Sequence, residues 1–226
     1  MAGWQTRRVS SDEFVLTLVL QVEKTELPGQ TDALETAARA VLAILGDERS
    51  VGEGEWAVAM RDWQDARIRK VVRRARGAEW RRAAALPGIT VTGAKAVVRV
   101  FPPVPLDEVP KDLAKLQVTG TDLEEPDDLP AVEFGVPVLW VNPRLTMSTG
   151  KTMAQVGHGA HLAWLELSDV ARKAWHEANF PLAVRTATPL HWKDLLASGL
   201  PVVQDAGFTE IDPGSRTVIA DHPALR

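Results

Sequence analysis

The stretch VPVLWVNPRLTMSTGKTMAQVGHGAHLAW, residues 136–164, decides the fold. It opens with a short apolar run typical of a buried strand, and from about residue 151 its pattern predicts a helix. A strand leading directly into a helix is the building unit of α/β proteins. The tripeptide GKT at 150–152 stands between the two elements and raises the question of a phosphate-binding loop.

The spacing of the glycines argues against a nucleotide-binding loop. The motif G-x-x-x-x-G-K-[ST] requires a glycine five positions before Gly150, where this chain has Leu145. A lysine at a helix start can still bind an anion or stabilise an oxyanion, because the helix dipole and the first amides favour negative charge there. The alternative is an exposed lysine in a solvated first turn.

Composition limits the classes of protein to consider. The chain has 226 residues, no cysteine and a net charge of −4. Without cysteine there is no disulfide framework, no thiolate-bound zinc or iron–sulfur cluster and no cysteine nucleophile. The chain shows no signal-peptide pattern and no apolar run long enough to span a membrane, so we expect a cytoplasmic protein without a membrane partner.

Strand and helix patterns alternate along the whole chain, which predicts an α/β fold with a mixed β-sheet flanked by helices. In the first half we expect a strand at 13–22, a helix at 31–47 capped by Thr31, a helix at 61–85 interrupted near Gly77, a strand at 94–102, and a short helix before an edge strand at 105–118. In the second half we expect a strand at 136–141, helices at 151–167 and 168–179, a strand at 180–187, a short helix at 189–199, and strands at 200–207 and 216–223.

The domain organisation predicted from these patterns has three parts. An N-terminal α/β domain covers 1–118, an acidic, proline-containing linker covers 119–133, and a second domain covers 134–226. The segment VLQVEKTELPGQTDALETA, from the first strand into the first helix, aligns without gaps within residues 139–158, with Gln30 over Lys151, whereas the later segments align only with gaps. The first half is therefore a candidate non-catalytic repeat, and the chain is expected to be a monomer with an internal pseudo-dimer or a homodimer.

A second polar cluster follows the next-to-last strand, in VVQDAGFTEIDPGSRTVIADHP, residues 202–223. Asp205 comes directly after an apolar run, and Thr217 begins the strand that returns. If both strands are central, Asp205, Thr209 and Thr217 converge near Lys151 at one edge of the sheet. The alternative is ordinary turn chemistry, in which these side chains bind loop amides.

Taken together, the two segments resemble the peptidyl-tRNA hydrolase 2 family, the archaeal and eukaryotic type. The resemblance covers roughly residues 136–224 and rests on a GK-x-x-x-Q-x-x-H helix start followed by D-A-G-x-T-x-(I/V)-x-P-G-S-x-T. The matching residues here are Gly150, Lys151, Gln155, His158, Asp205, Ala206, Gly207, Thr209, Pro213, Gly214, Ser215 and Thr217.

The resemblance implies hydrolysis of the ester that joins a peptide to the 3′ ribose of tRNA, with no metal and no cofactor. It implies catalytic roles for Lys151, Asp205, Thr209 and Thr217. This chemistry is reasonable, because ester hydrolysis needs a positioned water, a proton acceptor and positive charge near the oxyanion. Gln155 is expected to support the site or position the substrate.

His158 has two interpretations, a packing or supporting role and direct participation in the reaction. A Ser–His–Asp triad could be formed by His158 and Asp205 with Ser148 or Ser215, but neither serine lies in a G-x-S-x-G elbow. No histidine spacing in the chain indicates a metal site.

The remaining feature is a basic run, ARIRKVVRRARGAEWRR, at residues 66–82. Read as a helix, it could present a phosphate-binding face to tRNA, the expected partner; its candidate contacts are Arg69, Lys70, Arg73, Arg74 and Arg76. The alternative is a solvated helix paired with the acidic linker. If the basic run binds RNA or protein without turnover, the chain is a binding module that kept a hydrolase fold. Retention of the Lys, Asp and Thr set favours the hydrolase.

Overall fold

The computed structural model describes residues 14–23, 27–125, 128–206 and 210–226. The first half contains, in chain order, β1 (Phe14–Gln21), α1 (Gln30–Gly46), α2 (Ala57–Asp65), β2 (Lys70–Ala75), α3 (Gly77–Ala84), β3 (Ile89–Thr92), β4 (Val97–Val100), the short β5 (Val104–Pro105) and α4 (Lys111–Ala114). The second half contains β6 (Val138–Val141), α5 (Thr149–Glu166), α6 (Asp169–Glu177), β7 (Ala183–Thr186), α7 (Pro189–Ala197), β8 (Val202–Gln204) and β9 (Arg216–Asp221).

Each half builds its own mixed sheet, and the two sheets share one topology. The strand order is β2-β1-β4-β3 in the first sheet, with β5 added beside β1, and β7-β6-β9-β8 in the second. In both, the first strand pairs in parallel with the strand that follows its helices and antiparallel with the last strand. The predicted α/β class is confirmed, and the shared topology supports the predicted internal repeat.

The strand registers relate individual positions of the two halves. Leu18 pairs with Val72 and Val100, as Leu139 pairs with Val184 and Ala220. If both chain segments are followed without a gap from Leu18 and Leu139, Gln30 occupies the position equivalent to Lys151, in agreement with the alignment of the sequences.

The halves meet through α1 and α5, which pack against each other, and each helix also contacts the outer parallel strand of the opposite sheet. Gly157 permits this close approach, because a Cβ there would lie 3.0 Å from Cγ2 of Val41. On the other side of α5, a Cβ at Gly159 would lie 2.8 Å from Cγ1 of Val218. Buried apolar side chains of both halves form one continuous core, so the two sheets are not independent bodies.

Described residues of the segment predicted as a linker lie along the first turns of both central helices. The carbonyl of Thr121 accepts from the Gly150 amide at 3.3 Å, and the carbonyl of Glu124 accepts from the Gln30 amide at 3.0 Å. Oε2 of Glu125 accepts from the amide of Thr31 at 2.8 Å, where a negative charge is favoured by the helix dipole. The described part of 119–133 is therefore a strap across the seam between the halves.

Two local predictions in the first half are wrong. The basic run does not form a helix at 61–85: its centre is the strand β2, between α2 and α3. Pairing of β2 with β1 overrides the helix propensity of the arginines. Thr31 is not the cap of α1, because the helix begins after Gly29 and Thr31 lies within its first turn, where its amide donates to Glu125.

Asp32 closes the hairpin between β3 and β4. Its carboxylate accepts from the amides of Ala94, Lys95 and Ala96 at 2.8, 2.7 and 2.6 Å. Gly93 is required at the start of this turn, since a Cβ would lie 2.1 Å from Oδ1 of Asp32. The hairpin is thus anchored directly to the first turn of α1.

Asp32→Ala is expected to destabilise the protein by roughly 3 kcal/mol, because three amides lose a charged acceptor. Urea unfolding followed by circular dichroism measures the loss. Asp32→Asn, which keeps one carbonyl oxygen, should fall between the wild type and Asp32→Ala. The exposed Asp62 in α2 supplies a control, Asp62→Ala, and an equal loss in both alanine variants would contradict the anchoring role.

Across the described ranges, no helix is both long and apolar enough to cross a membrane.

Candidate active site

An ion pair between Lys151 and Asp205 lies at the centre of the site. Nζ of Lys151, in the first turn of α5, donates to the two carboxylate oxygens of Asp205 at 3.0 and 2.7 Å. The two side chains are only 11% and 8% exposed. Although 54 positions separate them in the chain, the end of β8 and the start of α5 meet at one edge of the sheet. The predicted convergence of these two residues is therefore observed.

Thr217 lies fully buried at the start of β9. Its hydroxyl donates to Oε1 of Gln155 at 2.5 Å, one helical turn beyond Lys151 on the same face of α5. The carbonyl of Val203 is also within 3.5 Å of this hydroxyl. Gln155 and Thr217 thus join α5 to β8 and β9.

The loop between β8 and β9 is tied to the helix start through its acidic residue Glu210. This carboxylate accepts from the amide of Ser148 at 2.8 Å and from its hydroxyl at 2.7 Å. The backbone of Asp205 is fixed from both sides, since its amide donates to Ser215 and its carbonyl accepts from Gly214. The role of Glu210 was not predicted, although it follows Thr209 directly in the sequence motif.

The amides at the start of α5 are already in use, which removes part of the predicted anion site. Gly150 donates its amide to Thr121, and Lys151 donates its amide to the hydroxyl of Ser148 at 3.2 Å. A phosphate could not be cradled by these groups without displacing the strap. Of the predicted anion site, the ammonium group of Lys151 remains, and it is paired with Asp205.

The remaining predicted catalytic and supporting residues have different outcomes. Thr209 lies outside the described residues, so its catalytic role stays a prediction. His158 lies two turns after Lys151, and its Nδ1 is 3.5 Å from Nζ of Lys70. Burial, together with the positive charges of Lys70 and Lys151, lowers the pKa of His158 well below its usual value. The Ser–His–Asp triad is not formed, because Asp205 pairs with Lys151 and Ser148 with Glu210.

The predicted tRNA contacts in the basic run need one correction. Lys70 is buried and cannot meet a ligand from solvent. Arg73 donates to the carbonyls of Ala114 and Leu116, and Arg74 donates to Gly120 and Gln117, so these guanidinium groups hold the chain that leads into the strap. Arg76 is exposed. A tRNA contact by Arg69, Arg73, Arg74 or Arg76 stays a prediction.

The first half carries none of the polar groups of this site at the equivalent positions. Gln30 occupies the position equivalent to Lys151, and Leu34 the position equivalent to Gln155. The pair Val91–Val98 in the β3–β4 ladder corresponds to the pair Val203–Val218 in the β8–β9 ladder. Gly93 is therefore equivalent to Asp205, and Val97 is equivalent to Thr217. The turn at 93–96 also replaces the longer loop at 205–215. In the part of the first half that the structure describes, no Lys–Asp pair lies at these positions.

A cavity of about 180 Å³ lies beside the site at the same edge of the second sheet. It is bounded by both halves and by the strap, through Gln30, Thr31, Leu34, Leu129, Val141, Asn142, Pro143, Leu145, Met147, Thr152, Val184, Arg185 and Thr186. Arg185 is paired with Glu35 of α1 at 3.2 Å. Asn142 links the cavity to the site, since its backbone amide donates to the carbonyl of Thr217.

Thr217→Val is expected to destabilise the protein by about 1–3 kcal/mol, because the buried Oε1 of Gln155 loses its donor while the side-chain shape is kept. Thr217→Ser retains the hydroxyl and should keep that hydrogen bond. Urea unfolding of the two variants measures the difference. Equal stability of the valine and serine variants would show that the hydrogen bond contributes nothing.

Comparison with known proteins assigns the second half to a family. The family model for peptidyl-tRNA hydrolase PTH2 matches residues 136–226. A curated relative, the peptidyl-tRNA hydrolase of Thermococcus onnurineus (strain NA1), is 35% identical over 97 residues, which represent 38% of this chain and 82% of the relative. The matched region contains Lys151, Gln155, Asp205 and Thr217, and the resemblance noted in the sequence is confirmed. The chain therefore belongs to the peptidyl-tRNA hydrolase PTH2 family through its C-terminal half.

Proposed function

We propose that the chain hydrolyses the ester bond between a peptide, or another N-acylated amino acid, and the 3′ ribose of tRNA. The observation that carries this proposal is the buried Lys151–Asp205 pair in the part of the chain that matches the family. Such a hydrolase acts in translation, so we expect the protein in the cytoplasm with tRNA as its partner.

The ion pair can supply two of the functions that ester hydrolysis requires. Two of the three N–H donors of Lys151 are used by Asp205, which leaves one for the developing oxyanion or a terminal phosphate of tRNA. Each oxygen of Asp205 keeps lone-pair capacity to accept a proton from an attacking water. Thr217 and Gln155 hold the walls of the site in place, and Thr209 is proposed to complete it.

The donor set suits a reaction without a metal ion. A cation bound at Asp205 would have to displace the ammonium group of Lys151, which already neutralises the carboxylate. We therefore propose a metal-independent reaction, in which activity persists after exhaustive chelation.

The organisation of the chain fits one active site per molecule. We propose that residues 134–226 form the hydrolase unit, that 119–133 is the strap, and that 1–118 is a repeat without catalytic groups. The repeat occupies the face of α5 that a second hydrolase unit could otherwise cover, so an internal pseudo-dimer within a monomer is the proposed state.

The test is release of the acyl amino acid from N-acetylated aminoacyl-tRNA by the full chain, with and without a chelator. Turnover in both reactions is the expected result. Binding of the tRNA without turnover would overturn the proposal and favour a binding module that kept the fold. Turnover in the reaction without chelator, but not in the reaction with chelator, would overturn only the proposed metal independence.

A further inference from the structure

A buried lysine lies between two histidines where the halves meet. Lys70 begins β2 of the first half, and its Nζ is 3.2 Å from Nδ1 of His161 and 3.5 Å from Nδ1 of His158, both on α5. The carbonyl of Ile68 is a third neighbour at 3.2 Å. The ring of Trp63 lies beneath, with its centroid 4.7 Å from Nζ.

This environment matches the bonding capacity of an ammonium group. Burial lowers the pKa of Lys70 well below its usual value. The contacts that favour its charged form are the carbonyl of Ile68, the face of Trp63 and, in the tautomer protonated at Nε2, Nδ1 of both histidines. Among the described residues, no carboxylate forms an ion pair with Lys70. Ile68 is held at φ 46°, a conformation that β-branched residues rarely adopt, and its carbonyl contacts Nζ.

Nδ1 of each imidazole faces Nζ of Lys70, and the tautomer of each ring decides which of the two groups donates. His161 stacks on Trp63 with ring centroids 5.0 Å apart, which fixes the orientation of its ring. Burial and the nearby charge of Lys70 lower the pKa of His158 and of His161, so each ring is neutral and carries one proton. When Nδ1 accepts a hydrogen bond, that proton must be on Nε2.

We propose that Lys70, supplied by the half without a Lys–Asp pair, is a positioning residue for His158 of the catalytic half. By donating to Nδ1, it fixes the Nε2–H tautomer of His158. This ring can then act as a hydrogen-bond donor but not as a general base through Nε2. Its consequence for the reaction rests on the proposed function: proton acceptance is left to Asp205.

The tautomer can be measured on the full chain without any assay of activity. Long-range proton–nitrogen NMR of the protein with isotopically labelled histidine distinguishes Nδ1–H from Nε2–H, and His158→Asn and His161→Asn assign the two signals. We expect Nε2–H at His158 throughout the pH range around neutrality. An Nδ1–H pattern at His158 in the wild type would overturn the proposal, even if no variant of Lys70 folds.

Lys70→Met removes the donors while keeping a similar length and burial. In this variant His158 should exchange between tautomers, and its pKa should rise because the neighbouring positive charge is gone. The exposed Lys193 provides the matched control, Lys193→Met, which should leave both signals unchanged. An unchanged His158 signal in folded Lys70→Met would overturn the proposal.

Steady-state kinetics of Lys70→Met test the effect on the reaction separately. For Lys70→Met we expect kcat to fall by about tenfold with KM little changed, and the pH profile to gain an inflection from His158. A fall with an unchanged pH profile would point to a structural role alone and overturn the positioning role. If the wild type does not hydrolyse the ester, the proposed function fails, whereas the NMR result still decides the role of Lys70.

Discussion

Asp205→Asn and Lys151→Ala are each expected to lower kcat for ester hydrolysis by about 100-fold or more, because the first removes a charged proton acceptor and the second a charged donor to the oxyanion. The measurement is single-turnover release of the acyl amino acid from N-acetylated aminoacyl-tRNA. Since both side chains belong to one ion pair, the double variant should be little slower than either single variant.

Loss of folding must be distinguished from loss of chemistry in this experiment. Removing one partner of a buried ion pair leaves an uncompensated charge, at a cost of roughly 3 kcal/mol. The double variant Lys151→Met/Asp205→Asn is neutral and should regain much of that stability while remaining inactive. Lys193→Ala and Asp194→Asn, at exposed neighbouring positions of α7, should retain full activity. Full activity in either site variant would exclude the proposed catalytic pair.

Val41→Asp is expected to destabilise the whole chain by about 3–5 kcal/mol, because it introduces an unpaired charge into the seam between α1 and α5. Val41 is 0% exposed and belongs to the core that the two halves share. The milder Val41→Ala should cost about 2 kcal/mol through the lost methyl groups. Urea unfolding followed by circular dichroism and by tryptophan fluorescence measures both variants.

The control is Val58→Asp, since Val58 is 61% exposed on α2 and its replacement should change stability little. Because the halves share one core, we expect a single transition reported equally by both probes. Tryptophans occur in both halves, for example Trp63 and Trp192. Two separate transitions, with the second half unaffected by Val41→Asp, would contradict a common core.

The second half was predicted well from sequence because its elements are short, apolar and separated by clear turns. The helix predicted at 151–167 is α5, and the predicted strands at 180–187 and 216–223 contain β7 and β9. The pairing of Lys151 with Asp205 could be predicted because β8 ends, and α5 begins, at the same edge of the sheet. Strand-end chemistry of this kind depends on local pattern and topology, which the sequence carries.

The first half was harder because tertiary contacts override local preference there. In β2 the arginines favour a helix, yet pairing with β1 makes the segment a strand. The strand β3, with the sequence ITVT between Gly88 and Gly93, was missed although its β-branched residues gave a signal. The environment of Lys70 could not be predicted, since it depends on which face of α5 meets the opposite sheet.

The join between the halves has a consequence for how this protein can diverge. In an assembly of two identical chains, every substitution appears at both related positions. Here Lys70 meets His158 on one side of the seam, whereas the strand registers and the alignment place Leu182 and Ala37 at the related positions on the other. Covalent linkage of unequal halves permits this asymmetry, so a substitution that benefits the proposed active site of the second half does not have to be accommodated at the related position of the first half.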